Sequence, residues 1–74
     1  MNDTSLSRNP RLFPAPGDCL EGLNTQRRPQ VRHVTRVSSL SHTVVYRVDD
    51  RKEASTCTLT SWRKWAATAA VLPA

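Results

Sequence analysis

The distribution of proline and glycine divides this chain near residue 30, and that division limits the fold more than any other feature. All but one of the 5 prolines and both glycines precede residue 30. Both residue types interrupt regular backbone structure. We therefore predict a disordered, basic, proline-rich arm over residues 1–29 and an ordered mini-domain over residues 30–74. The arm also carries apolar side chains that offer a docking surface, namely Leu12, Phe13, Leu20 and Leu23.

Residues 30–37 have the composition of a β-strand, because half of them are β-branched. Simple alternation places Arg32, Val34 and Arg36 on one face of this strand. Neither face is apolar throughout. We therefore predict an edge strand whose arginines point toward solvent.

The next two segments complete the predicted sheet. Residues 43–49 alternate most clearly, with Val44, Tyr46 and Val48 on one face, and we expect them to form the central strand. After a charged reversal, residues 54–58 are able to pair back onto that strand. The expected sheet is antiparallel and has two or three strands.

The C-terminal part of the chain predicts one amphipathic helix over residues 59–72. Thr58 suits the N-cap position, because its hydroxyl can accept a hydrogen bond from a free backbone N–H one turn ahead. Pro73 should end the helix. Steps of three and four residues place Trp62 and Trp65 on one side, where they supply most of the apolar mass of the core. We expect alanine at either tryptophan to unfold the domain.

The predicted fold class is α+β: a small two- or three-stranded antiparallel sheet packed by one C-terminal α-helix, with a long disordered N-terminal arm. A domain of this size buries only about 60% of its unfolded surface, so its stability is small. A core this thin leaves no room for a deep reaction pocket. A binding protein is therefore the expected class.

The charge of the chain favours partners with a negative surface. The formal net charge is +5 and the pI is about 10.3, although the charge is spread along the sequence. Only Lys52 and Lys64 are lysines, and the remaining bases are arginines, whose planar fork pairs with carboxylate or phosphate. A GC-rich genome also raises arginine and alanine together. The predicted partner-binding residues are Arg32, Arg36, Arg47, Arg63 and Lys64.

The sequence contains no catalytic or metal-binding motif. A thiol or hydroxyl could lie near His33 or His42, but catalysis also needs an orienting group, an oxyanion site and a cleft that excludes water. Cys19, His33, His42 and Cys57 are ligand types of a zinc site, but their spacings exceed those of structural zinc pairs. We predict no enzymatic activity, no cofactor and no metal.

Location and alternative partners follow from the same composition. The N-terminal residues lack an apolar core of signal-peptide length, and the longest apolar run, over residues 69–72, is far shorter than a membrane span. We expect a cytoplasmic monomer with reduced cysteines and no membrane contact. Nucleic acid stays open as a partner, because strand arginines could line a sheet face and Tyr46 could stack on a base.

The segments VVYRVDD (44–50) and LTSWRKW (59–65), with the basic arm before them, resemble small transcription regulators of tailed bacteriophages that bind host RNA polymerase. The resemblance implies a non-enzymatic inhibitor that acts in the host bacterial cytoplasm. It would dock on the large subunits of the polymerase, displace the σ factor and block initiation, with antitermination open as a second role. Other phage proteins of this size inhibit bacterial defence complexes, and that alternative also stays open.

Overall fold

The computed structural model describes residues 8–73 and contains a five-stranded antiparallel sheet with one α-helix. In chain order the elements are β1 (Cys19–Leu23), β2 (Pro29–Ser38), β3 (Thr43–Val48), β4 (Ala54–Thr58), α1 (Leu59–Ala66) and β5 (Ala70–Leu72). The strand order across the sheet is β4-β3-β2-β1-β5. The middle strand is therefore β2, and β4 and β5 are the two edges.

The prediction of a two- or three-stranded sheet with a disordered arm is wrong. β1, predicted as coil, pairs with β2 from Cys19 opposite His33 to Leu23 opposite Pro29. β5, predicted as helix, pairs with the other side of β1. The sheet therefore begins well before the boundary predicted near residue 30, which coincides instead with the start of β2. Residues 1–7 of the predicted arm lie outside the described residues.

Residues 8–18 pack against α1 and the segment that follows it. The indole Nε1 of Trp62 donates a hydrogen bond to the Pro10 carbonyl at 3.1 Å. The Nε of Arg11 donates to the Ala69 carbonyl at 2.9 Å. Hydrogen bonds thus run in both directions between the proline-rich segment and the C-terminal part of the chain, which orders the segment without regular secondary structure.

A β-bulge in β2 separates two arginines that simple alternation placed on one face. The pairing with β3 passes from Val34 to Arg36, so Thr35 is an extra residue. Arg32 and Val34 therefore face the helix, whereas Arg36 faces the opposite side of the sheet. Val37 returns to the helix side and packs against the core. The prediction of a shared face is wrong because one inserted residue reverses the alternation beyond it.

The positions of β3 and β4 agree with the sequence prediction, but the roles of the strands do not. β4 pairs antiparallel with β3, as expected. The strand predicted at the edge, β2, is the middle strand, because β1 covers its other side. Its helix-side face is mixed because it carries the core residue Val34 and the partly buried Arg32.

The helix begins where predicted and ends early. Thr58 is the N-cap, and its Oγ1 accepts a hydrogen bond from the Ser61 backbone N–H at 3.1 Å. The helix ends at Ala66, and residues 70–72 pair with β1 instead of adding further turns. Pairing with a distant strand outweighs the helical preference of an alanine-rich segment. No helix within residues 8–73 is long and apolar enough to cross a membrane.

The core lies between α1 and one face of the sheet. Its buried members are Leu20, Val34, Val44, Tyr46, Trp62, Ala66 and Ala69. Trp62 is fully buried, and its ring centroid lies 6.0 Å from that of Tyr46 and 5.3 Å from that of the half-buried Trp65. Gly22 lets β1 approach this cluster, because a Cβ there would lie 2.8 Å from an atom of the Trp65 ring.

Candidate functional site

Arg32 lies at the centre of the site best suited to bind an anionic group. Its guanidinium carbon is 4.4 Å from the ring centroid of Tyr46 and 4.1 Å from that of Trp65. Its Nε donates a hydrogen bond to Gln30 Oε1 at 2.9 Å. Two aromatic rings and one amide thus hold the guanidinium group in place. Among the described residues, the Arg32 side chain donates a hydrogen bond only through Nε, so its two terminal NH₂ groups are free to bind a ligand.

The electrostatics of Arg32 favour an incoming anion. Burial lowers the pKa of this guanidinium below its ordinary value, while the Tyr46 and Cys57 groups oppose the shift. Within residues 8–73, the one ion pair joins Arg8 and Asp18, so Arg32 has no acidic partner there. A partly desolvated cation without a counter-ion is destabilising, and an anion that binds to it relieves that cost.

A shallow groove beside Arg32 gives this anion site its shape. The groove has a volume of about 440 Å³ and is open to solvent. It is lined by Leu23, Asn24, Thr25, Gln30, Arg32, Ser61, Lys64 and Trp65. The Nε1 of Trp65 donates a hydrogen bond to the Leu23 carbonyl at 2.9 Å, which joins the helix to the end of β1. Lys64 supplies a second positive charge at the rim.

Arg63, the next predicted binding residue, is engaged by the N-terminal segment. Its Nε donates to the Leu12 carbonyl at 2.8 Å, and its guanidinium carbon lies 5.3 Å from the Phe13 ring centroid. The Leu12 and Phe13 side chains are exposed. Arg63 therefore holds two exposed apolar side chains beside the helix, and its own part in binding a partner stays a prediction.

The other two predicted residues lie on the opposite face of the sheet. Arg36 pairs with Val45, and Arg47 pairs with His33, in a face that no element of residues 8–73 covers. Both arginines are exposed. The structure thus divides the five predicted residues between two surfaces. Arg32, Arg63 and Lys64 lie on the helix side, and the role of the other two arginines stays a prediction.

The sequence prediction missed the residues that make Arg32 distinctive. Trp65 was expected as a core residue and Tyr46 as a core residue or a platform for a nucleic-acid base, neither was expected to hold Arg32, and Gln30 was given no role. No local signal identifies them, because the stack depends on the register between β2 and β3 and on the position of the helix above the sheet. The alternation of Val44, Tyr46 and Val48 did place Tyr46 correctly on the helix side.

The structure brings Cys19 and His33 together on the open face of the sheet. They are opposite each other in β1 and β2, and Sγ lies 3.1 Å from Nδ1. Cys57 packs against the core on the other face, so the four candidate zinc ligands do not converge. Residues 8–73 contain no group of three or more His, Cys, Asp or Glu side chains placed to hold a metal ion.

The Cys19 and His33 pair supplies only two parts of a nucleophilic site. A thiol activated by imidazole also needs a group that orients the ring and donors that stabilise an oxyanion. In the described part of the chain, no third side chain hydrogen-bonds to this imidazole. The absence of enzymatic activity stays a prediction.

Comparisons with known proteins add no family to this description. No protein-family model, no curated protein and no solved structure matches the chain significantly. The fold and the site therefore describe the protein: a five-stranded antiparallel sheet with one helix, and a basic and aromatic groove on the helix side.

Proposed function

We propose that the chain is a non-enzymatic binding protein that docks on an acidic surface of a larger macromolecule. The observation that carries this proposal is the Arg32 guanidinium, half-buried between Tyr46 and Trp65 and without an acidic partner among the described residues. Arginine, tryptophan and tyrosine are the residues that most often dominate the binding energy of protein interfaces. A rigid stack also reduces the entropy lost when the arginine binds.

A macromolecular partner suits this site better than a small molecule. The groove is open to solvent and would leave a small ligand largely exposed. The net charge of +5 attracts a large acidic surface from a distance and raises the rate of encounter. The exposed Leu12 and Phe13 next to the helix add apolar contact area.

The resemblance of residues 44–50 and 59–65 to phage transcription regulators suggests which partner this is. Three residues that line the groove, Ser61, Lys64 and Trp65, lie within the second segment, and Tyr46, which stacks on Arg32, lies within the first. We propose that the chain binds the large subunits of bacterial RNA polymerase, displaces σ and inhibits initiation, with antitermination as a second role. σ contacts polymerase across extended charged surfaces, so a small competitor needs complementary shape and charge more than a pocket.

Binding to purified polymerase core enzyme, with and without σ, tests this proposal. We expect the chain to bind the core enzyme, to compete with σ and to reduce transcription from a σ-dependent promoter. Arg32→Met keeps the apolar stem and removes the charge, and we expect it to weaken binding roughly 30-fold, as for an interface hot spot. The matched control is Arg28→Met, an exposed arginine outside the groove lining, which should change affinity less than about twofold.

The outcome separates the candidate partners. If polymerase is not bound, the proposed partner is wrong. Retention of nucleic acid, with an affinity that falls steeply as salt rises, would favour the nucleic-acid alternative. Recovery of a defence complex from host lysate would favour the inhibitor alternative. Equal effects of Arg32→Met and Arg28→Met on polymerase binding would contradict the role of the groove. Circular dichroism spectra of both variants that match the spectrum of the wild type would exclude unfolding as the cause of weaker binding.

A further inference from the structure

The two edges of the sheet differ in how they are protected. β5 has three residues and is followed directly by Pro73, which has no N–H to donate. β4 has five residues, Ala54–Thr58, with no charge, no proline and no bulge, and four of its five side chains are exposed. Natural proteins usually protect an edge strand by short length, a charged side chain, a proline or a bulge, because the free backbone groups of an edge pair readily with another strand. β4 is therefore open to strand addition.

Arg47 determines what kind of strand would fit there. It lies on β3 directly opposite Ala54, on the open face of the sheet. It is exposed and forms no ion pair within residues 8–73, although Asp49 and Asp50 line the same shallow pocket. The alanine side chain is too short to cover it. Adjacent strands lie about 4.8 Å apart, so a sixth strand would lie about 10 Å from β3. An extended arginine and an acidic side chain on the added strand span that distance together.

We propose that β4 is a docking edge for an extended acidic segment of a partner protein, which adds to the sheet as a sixth strand with a carboxylate placed toward Arg47. Backbone hydrogen bonds to β4 would supply affinity, and the carboxylate would select the register. A second copy of this chain is a poor occupant, because two chains of net charge +5 repel each other. This edge is separate from the Arg32 groove, so the inference goes beyond the proposed function.

Nuclear magnetic resonance titration of the full ¹⁵N-labelled chain with two synthetic peptides tests the inference. One peptide alternates threonine and glutamate over eight residues, and the other alternates threonine and lysine. We expect the glutamate peptide to shift the amide signals of residues 54–58 and to bind about two- to fivefold more tightly than the lysine peptide. Arg47→Glu should reverse that preference.

Arg36→Glu is the matched control. It makes the same change of charge on the same face of the sheet, but it lies on β2, one strand further from the edge. We expect it to leave the preference between the peptides nearly unchanged. Equal effects of Arg36→Glu and Arg47→Glu would reduce the preference to net charge and overturn the assigned role of Arg47.

Three further outcomes would overturn the inference. These are unshifted signals at residues 54–58 with millimolar glutamate peptide, shifts confined to the groove residues, and concentration-dependent dimerisation of the chain through β4. The result is independent of the polymerase experiment. Loss of polymerase binding in Arg32→Met, with intact peptide binding at β4, would support both. If only the peptide binding at β4 fails, the proposed role of the Arg32 groove is unaffected.

Discussion

Arg32 shows how packing changes the chemistry of one side chain. An arginine on a solvent-exposed edge strand would be hydrated and mobile, and its ion pairs would contribute little free energy to stability or binding. Here the guanidinium lies between the Tyr46 and Trp65 rings and is hydrogen-bonded to Gln30. Of the arginines in the described residues, Arg32 is the one that combines partial burial, stacking between two aromatic rings and a place in the groove lining.

The ion pair between Asp18 and Arg8 is expected to make the stability of the fold depend on pH. Burial by itself raises the pKa of Asp18, but hydrogen bonds from Arg8 and from the Ala15 backbone N–H outweigh it and hold this pKa below its ordinary value. Because folding lowers the pKa, the stabilisation is present at neutral pH and is lost as the pH falls through the folded-state value. We expect Asp18→Asn to flatten the loss of thermal stability between about pH 5 and pH 2.

Thermal melts monitored by circular dichroism across that pH range check this prediction. Asp50→Asn is the control, because Asp50 is an exposed loop carboxylate with no ion pair among residues 8–73. The wild type and the control should lose stability in parallel as the pH falls. A melting profile for Asp18→Asn that parallels them would contradict the contribution of the Arg8 pair.

At the level of elements, local signals identify the strands and the helix start that depend on short stretches of sequence. β3 alternates, β4 follows a charged reversal, and the Thr58 cap is formed as expected. β1 has no such signal, because Gly22 interrupts its alternation and its neighbours are prolines and polar turns. Its place is determined by pairing with residues far along the chain, such as Glu21 with Ala70.

The N-cap of α1 can be tested by one substitution. Thr58→Ala removes the hydroxyl that accepts from the Ser61 N–H, and we expect a loss of about 1 kcal/mol in the free energy of unfolding. Thr60→Ala, an exposed change within the same first turn, should alter stability by less than about 0.5 kcal/mol. Urea denaturation measures both. Equal losses would mean that the cap does not stabilise the helix.

For the whole molecule, stability depends on a small core in which Trp62 is the largest fully buried side chain. Trp62 is fully buried between the sheet and the N-terminal segment, whereas Trp65 is half-buried at the rim of the groove. A core in a domain of this size rarely supplies more than roughly 3–5 kcal/mol. Replacing a buried tryptophan by alanine lowers the free energy of unfolding by about the same amount. The two tryptophans should therefore differ, contrary to the expectation from sequence that they are equivalent.

We expect Trp62→Ala to abolish the cooperative thermal transition and Trp65→Ala to retain it. Trp65→Ala should also release the Arg32 stack and weaken binding to polymerase, while its far-ultraviolet circular dichroism spectrum stays close to that of the wild type. Circular dichroism melts and the binding assay check these outcomes. A folded Trp62→Ala variant, or an unfolded Trp65→Ala variant, would contradict this division of roles.

Features that depend on a few neighbouring residues can be predicted from the sequence: the positions of β3 and β4, the Thr58 cap and the burial of Trp62. The number of strands, the length of the helix and the surroundings of Arg32 follow only from the folded arrangement. Alternation and capping act over a single turn or strand, whereas the pairing of β1 with β5 and the bulge at Thr35 depend on contacts between distant parts of the chain. The candidate site belongs to this second group, since its arginine and its two aromatic rings meet only after the sheet has formed.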